Sequence, residues 1–308
     1  MPMLRITVTD QGPHLDGAAG PLHPALARAL AADGGPVTIM IHGFKYLPGH
    51  SRHCPHRSLQ SDAAHHADAR IVSWPRHLGL RGQRGEGLGI SFGWPARGSI
   101  WQAHRRAAQA GDALAGLVAQ IRQLAPQRPV HVVAHSLGAR VALQALRQGR
   151  PGAVDRAILM AAAEFTDTAR AALTSPGGRA CEVLNVTSRE NDLFDFLMER
   201  LVAPPRPGDR MLGLGALRLP NLVTLQLDDA ESLHRLRAAG FAVAPPMRRI
   251  CHWSPYLRPG VFPLYRAVLS GALPLPRLRA LLPDAPQPRW SRLVPVLARP
   301  ATRAIAAE

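Results

Sequence analysis

The chain has 308 residues, 46% of them apolar, and a formal net charge of +16, a length that supports one large domain or two small ones around a true core. So positive a chain would ordinarily meet nucleic acid or an anionic membrane. Here the arginines are scattered, Lys45 is the only lysine, and no motif or aromatic platform accompanies the charge, so nucleic acid is excluded as the expected partner. Cys54, Cys181 and Cys251 form an odd, irregularly spaced set rather than a disulfide framework. No apolar run approaches the roughly 20 residues that span a bilayer. Met1 to Asp10 alternates like a strand instead of resembling a signal peptide. The expected location is therefore the cytoplasm, without stable membrane insertion.

Short runs rich in Val and Ile alternate with helical patterns, as when a parallel sheet is covered on both faces by crossover helices. The pattern predicts strands at Leu4 to Thr9, Val37 to Ile41, Ile71 to Trp74, Leu88 to Trp94, Val130 to Ala134, Ala157 to Ala161, Val183 to Thr187 and Leu222 to Leu227. Before the fifth strand, Leu114, Leu117, Val118, Ile121 and Leu124 mark the buried face of a long helix, which Pro126 and Pro129 stop. Residues 48–69, rich in His, Arg and Ser, read as a surface insertion. Residues 203–215, rich in Pro and Gly, read as a loop or lid. A domain over residues 1–269 is then followed by a Pro- and Arg-rich extension over 270–308, with a mobile end.

Val130-His131-Val132-Val133-Ala134-His135-Ser136-Leu137-Gly138 is an apolar strand running into a small-x-Ser-x-Gly turn, and a helical pattern follows from Ala139 to Leu146. This is the signature of a nucleophile elbow. Small residues are needed two places either side of the serine, because larger ones would strike the neighbouring strand and helix. Ala134 stands where glycine is commoner. The helix that starts beside Ser136 aims backbone N–H groups and its positive end at a developing oxyanion. Upstream, Val37 to Ile41 ends in His42-Gly43-Phe44, where a second oxyanion donor belongs. The expected donors are the N–H groups of Phe44 and Leu137, with the His42 ring bonded to loop backbone.

A serine hydroxyl needs an imidazole to take its proton and a carboxylate to hold that imidazole, in the chain order Ser, acid, His. The strand ending at Thr187 runs into Ser188-Arg189-Glu190-Asn191-Asp192. Asp192 is the expected acid, with Asp195 and Glu190 as rivals. His252, in a loop beside Trp253, is the expected base, with His234 on a polar helix face as its rival.

With these residues in place the sequence resembles a bacterial α/β-hydrolase family of unknown function, DUF900, within the serine esterase/lipase superfamily. The matching stretches are Ile39 to Phe44, Ser91-Phe92-Gly93-Trp94-Pro95-Ala96-Arg97-Gly98-Ser99, and Val133 to Gly138. The resemblance covers roughly Thr38 to His252. It implies an α/β-hydrolase fold, a mostly parallel sheet of about eight strands flanked by helices, and a triad of Ser136, Asp192 and His252. Trp94 and Trp253 are candidates to line the substrate pocket.

His50, His53, Cys54, His56, His65 and His66 crowd the insertion, but their spacing matches no zinc motif, and no metal or cofactor is expected. The expectation is thus a serine hydrolase, esterase- or lipase-like, that cleaves a carboxylic ester or thioester of a small-molecule acyl substrate through an acyl-enzyme on Ser136. An acyltransferase with the same triad, or a non-catalytic binding protein of the same fold, are the alternatives.

Overall fold

The computed structural model describes residues 3–18, 20–63 and 68–293. Its strands are β1 (Met3–Thr9), β2 (Gly12–Leu15), β3 (Val37–Ile41), β4 (Leu88–Gly93), β5 (Val130–His135), β6 (Arg156–Met160), β7 (Glu182–Thr187) and β8 (Leu222–Gln226). They form one sheet in the order β2-β1-β4-β3-β5-β6-β7-β8. Only the β1–β2 pair is antiparallel. The helices are α1 (Leu22–Ala32), α2 (Trp74–Leu78), α3 (Ile100–Leu124), α4 (Leu137–Gln148), α5 (Thr166–Leu173), α6 (Pro176–Arg179), α7 (Asp192–Leu201), α8 (Ala230–Ala238), α9 (Ser254–Leu257), α10 (Val261–Ser270) and α11 (Leu275–Leu281).

Alternation along the strands splits the core in two, since successive side chains of a strand point to opposite faces. Ile39, Ile41, Val132 and Ala134 pack on one face with Leu114, Leu117 and Ile121 of α3 and with Val141 and Leu143 of α4. Met40, Val133, Ile158 and Leu184 face the other way, toward Leu264 and Val268 of α10 and Leu278 of α11. Strands covered on both faces leave their carboxyl ends as the place where a parallel sheet presents loops to a ligand. Among the described residues no helix is long and apolar enough to cross a membrane.

The expected fold class is present, with corrections to its parts. Ile71 to Trp74 is not a strand: Trp74 opens α2, whose first turn Ser73 caps from its side chain and Pro75 favours. Gly12–Leu15 is an eighth strand that its composition hides, since Gly and Pro are poor strand formers. Pro13 is tolerated because β2 lies at the sheet's edge. The insertion is not wholly on the surface. Cys54, His56, Leu59 and Gln60 are buried, with His56 Nδ1 2.6 Å from Ser91 Oγ and Gln60 Nε2 donating to Met40 O at 2.8 Å. His65 and His66 lie outside the described residues. Nor does the domain end at 269: Leu275, Leu278 and Leu282 belong to the second core, and Arg289 pairs with Glu199. The part of the expected extension from 270 to 293 is packed domain; 294–308 lie outside the described residues.

Candidate active site

Ser136 follows β5 directly and takes φ 56° and ψ −124°, a left-handed conformation that a side chain other than glycine's adopts only under constraint. The constraint comes from both sides. The Ser136 N–H donates to Met160 O at 2.9 Å and the Ser136 O accepts from Ala163 N–H at 3.1 Å, so β6 and the loop after it hold the turn's backbone. On the other side, a Cβ at Gly138 would lie 2.6 Å from Ile41 O, and one at Gly43 would lie 2.7 Å from Ser136 Cβ. Glycine at both positions is what lets the β3 loop close over the elbow.

That loop is locked by His42 and Trp94. His42 Nδ1–H donates to Gly43 O at 2.9 Å, while its Nε2 accepts the Trp94 N–H at 3.1 Å, so the ring is the neutral Nδ1–H tautomer. Burial pushes its pKa down to about 3. Trp94 stacks on it with ring centres 5.6 Å apart and donates its indole N–H to His42 O at 3.0 Å. Because the peptide unit is planar and trans, a Gly43 carbonyl turned to His42 points the Phe44 N–H the opposite way. Among the described residues neither the Phe44 nor the Leu137 N–H has an acceptor, and Leu137 opens α4, where unpaired donors are expected. Leu137 N–H follows the buried serine and Phe44 N–H follows the Gly43 that abuts Ser136 Cβ, the kind of donor pair an oxyanion would need. Replacing His42 with Phe keeps the aromatic packing and removes both ring hydrogen bonds. It should lower kcat about 10- to 100-fold with little change in KM, the loss expected from displacing a donor that serves only the transition state; steady-state kinetics on an activated ester check this.

His252 lies half-buried after β8, with its ring 4.6 Å from that of His135 and stacked on Phe194 at 4.7 Å. His135 Nε2–H donates to His252 O at 3.0 Å, and Cys251 N–H donates to Glu190 O at 2.9 Å. The residue before the nucleophile and the loop after β7 therefore both hold the imidazole loop beside the elbow. No hydrogen bond among the described residues joins Ser136 Oγ to the ring. Burial, then the neighbouring His135, push the His252 pKa well below its ordinary value, so the ring is neutral and able to accept a proton.

The partner of His252 is not the expected one. Its Nδ1 lies 2.6 Å from Asn191 Oδ1, and Asn191 Nδ2 donates to Asp195 Oδ1 at 2.9 Å. Asp192 turns elsewhere, accepting the Trp290 N–H at 2.7 Å and facing Arg189 at 3.3 Å. Consecutive residues of a helix point about 100° apart whereas i and i+4 share a face, so at the start of α7 only one of the pair 191/192 can meet the ring. Glu190, the other rival, forms a buried ion pair with Arg258. His234 is exposed on α8. Trp94 lies fully buried behind the β3 loop, so it lines no pocket. Trp253 is half-buried with its ring 6.1 Å from His252 and under the Arg70 guanidinium at 5.3 Å. Asn191 and His135 were not singled out from the sequence: an amide is not an acid, and nothing in the elbow pattern marks the residue before the serine. Among the described residues no group of three or more His, Cys, Asp or Glu side chains is arranged to hold a metal.

The family model for the alpha/beta hydrolase fold matches residues 87–195, from β4 into α7, a stretch that holds Ser136 and Asn191. No curated protein matches the chain. The match and the eight-stranded, mostly parallel sheet flanked by helices together make this an α/β-hydrolase fold. Proteins of this fold family are commonly hydrolases, which supports an enzyme.

Proposed function

We propose, from an α/β-hydrolase fold with a left-handed serine at the end of β5, that the chain is a serine hydrolase acting on carboxylic esters or thioesters. The observation that carries the reading is Ser136 held at the elbow between two unpaired N–H groups, with a neutral imidazole beside it. In this reading His252 Nε2 takes the Ser136 proton as Oγ attacks the acyl carbon. The Phe44 and Leu137 N–H groups hold the resulting oxyanion, and the imidazolium returns the proton to the departing alkoxide or thiolate. Water then attacks the acyl-enzyme by the same route. Asn191 Oδ1, accepting from Nδ1–H, keeps the tautomer that leaves Nε2 free. The absence of a hydrogen bond between hydroxyl and base does not count against the pair, because such contacts tighten when substrate binds. The preference for an ester over a peptide rests on analogy with the fold. Resemblance to the DUF900 family, on Ile39 to Phe44, Ser91 to Ser99 and Val133 to Gly138, belongs to the same proposal. A fluorophosphonate probe tests it: the wild type should label at Ser136 and Ser136→Ala should not. An unlabelled wild type would favour a binding scaffold.

The acyl part is assigned to α7. Phe194, stacked on His252, begins a stripe continued by Leu197 and Leu201, both more than 40% exposed. Trp101, itself half exposed, hangs beside them with its indole N–H on the Leu201 carbonyl. Positions i, i+3 and i+7 share one face, and seven residues at a rise of about 1.5 Å cover about 10 Å. This apolar surface fits a medium-length acyl chain. With p-nitrophenyl esters kcat/KM should rise up to about two- to fourfold per added methylene, the upper bound being full burial. Leu197→Asp should cut the octanoyl-to-acetyl ratio of kcat/KM about tenfold. A flat chain-length profile would place the acyl group elsewhere.

A further inference from the structure

We infer that Asp195 is a positioning residue of this site, turning the Asn191 amide so that its carbonyl and not its NH2 meets His252. The inference rests on the serine-hydrolase reading for its consequence, though not for its geometry. An amide in the place of a carboxylate has two faces, and they are not equivalent. With Oδ1 toward the ring, Nδ1 carries the proton and Nε2 stays free to accept one. With the NH2 toward the ring, Nδ1 must accept, the proton moves to Nε2, and the imidazole can no longer deprotonate a serine. Something outside the pair has to choose.

Asp195 makes that choice because an ionised carboxylate only accepts hydrogen bonds. It sits one helical turn beyond Asn191, is 2% exposed, and takes Asn191 Nδ2–H at 2.9 Å, while Asn191 Oδ1 lies 2.6 Å from His252 Nδ1. Turning the amide over would bring carbonyl against carboxylate. Space for the second oxygen is reserved: a Cβ on Gly213 would fall 2.2 Å from Asp195 Oδ2, and that oxygen has no hydrogen-bond donor among the described residues. The carboxylate also stands one amide away from the imidazolium that forms in the transition state, and so supplies a charge that Asn191 lacks.

The arrangement depends on ionisation. Burial raises the Asp195 pKa to about 7. Arg189 and Arg289 oppose the rise, while Asp192 and Glu199 add to it. Protonated Asp195 can donate as well as accept, and it no longer distinguishes the two faces of the amide. His252 itself is held neutral to much lower pH by burial and by His135. The acid limb of kcat/KM should therefore fall near pH 7, not at the proton affinity of the base.

The test exchanges the two groups. Asp195→Asn keeps the shape and removes the discrimination and the charge; kcat/KM should fall about 10- to 100-fold, as expected for a unit charge a few ångströms from the imidazolium at intermediate dielectric. In an Asn191→Asp background a carboxylate meets His252 directly, so adding Asp195→Asn there should change kcat/KM less than about threefold, and the acid limb near pH 7 should move down. An equal loss in both backgrounds, or a loss below threefold in the first, would make Asp195 merely structural and overturn the inference. Should Asp195→Asn fail to fold, nitrogen-15 NMR of histidine-labelled wild type decides, with the His252 signal identified by its loss in His252→Gln. A protonated Nδ1 supports the inference and a protonated Nε2 refutes it. Wild type that neither turns over esters nor reacts with fluorophosphonate would refute the serine-hydrolase reading, while the tautomer still judges the orientation of Asn191.

Discussion

Ser136→Ala should lower kcat/KM on an activated ester about 10⁴- to 10⁶-fold, and His252→Ala should do nearly as much alone. The double variant should be scarcely worse than either, because a nucleophile and its base act as one unit. What remains would come from the Phe44 and Leu137 N–H groups and from binding. Ser136 is strained: its φ of 56° is held by hydrogen bonds to Met160 and Ala163. Its substitution by glycine, which takes that conformation freely, should raise the melting temperature slightly while activity is lost. Strain retained at the reacting residue and relieved on its removal is the pattern expected of a functional site. Stopped assays with burst analysis and thermal melts on the same samples check both halves. Activity in Ser136→Ala within tenfold of wild type would remove the elbow from the chemistry altogether.

Acid should unfold this protein readily. His42, His56, His131 and His135 are each at most 5% exposed, and desolvation pulls their pKa values to about 3, 4, 4 and 4 from an ordinary 6.5. Below pH 6.5 the unfolded chain protonates these rings while the folded one does not. The unfolded state then binds more protons, and stability falls with falling pH down to about 4. Asp195 works in the opposite sense, because folding raises its pKa to about 7 and the folded state holds its proton longer. Glu164 and Asp192 are raised by burial as well. His104 and His252 are lowered by burial in the same sense as the four rings, so the histidines outnumber the raised carboxylates, and stability should drop by several kcal/mol between pH 7 and pH 5, a large share of the 5–15 kcal/mol typical of a domain. The melting temperature should fall by about 10 °C. Urea titrations at the two pH values measure it directly, and an unchanged midpoint would mean these rings do not stay neutral on folding.

The parts of the site legible in the sequence are those that depend on neighbours along the chain. Ala134, Ser136 and Gly138 announce a turn because the steric demand is local. His42-Gly43 announces the turn of the β3 loop because a strand has just ended. Periodicity in α3 and the apolar runs of β3 to β8 report burial for the same reason, a side-chain period being a property of the segment. Ile71 to Trp74 misled because four residues, one of them the capping Ser73, are too few to carry a period, and the Pro at 75 suits a helix's first turn better than a strand.

By itself, then, the amino-acid order determined the sheet's parallel character, the serine on the sharp turn after β5, the glycine that lets the β3 loop close over it and the imidazole that returns after β8. Only the tertiary structure decided that Asn191 and not Asp192 meets that imidazole, that Trp94 is a buried brace behind the loop, and that residues 270–293 belong to the core. The reason is geometric: which of two adjacent side chains at a helix start faces a ring some sixty residues later depends on how α7 is rotated against β7 and β8. That rotation is fixed by packing among groups far apart in the chain, among them Arg189, Gly213 and Trp290.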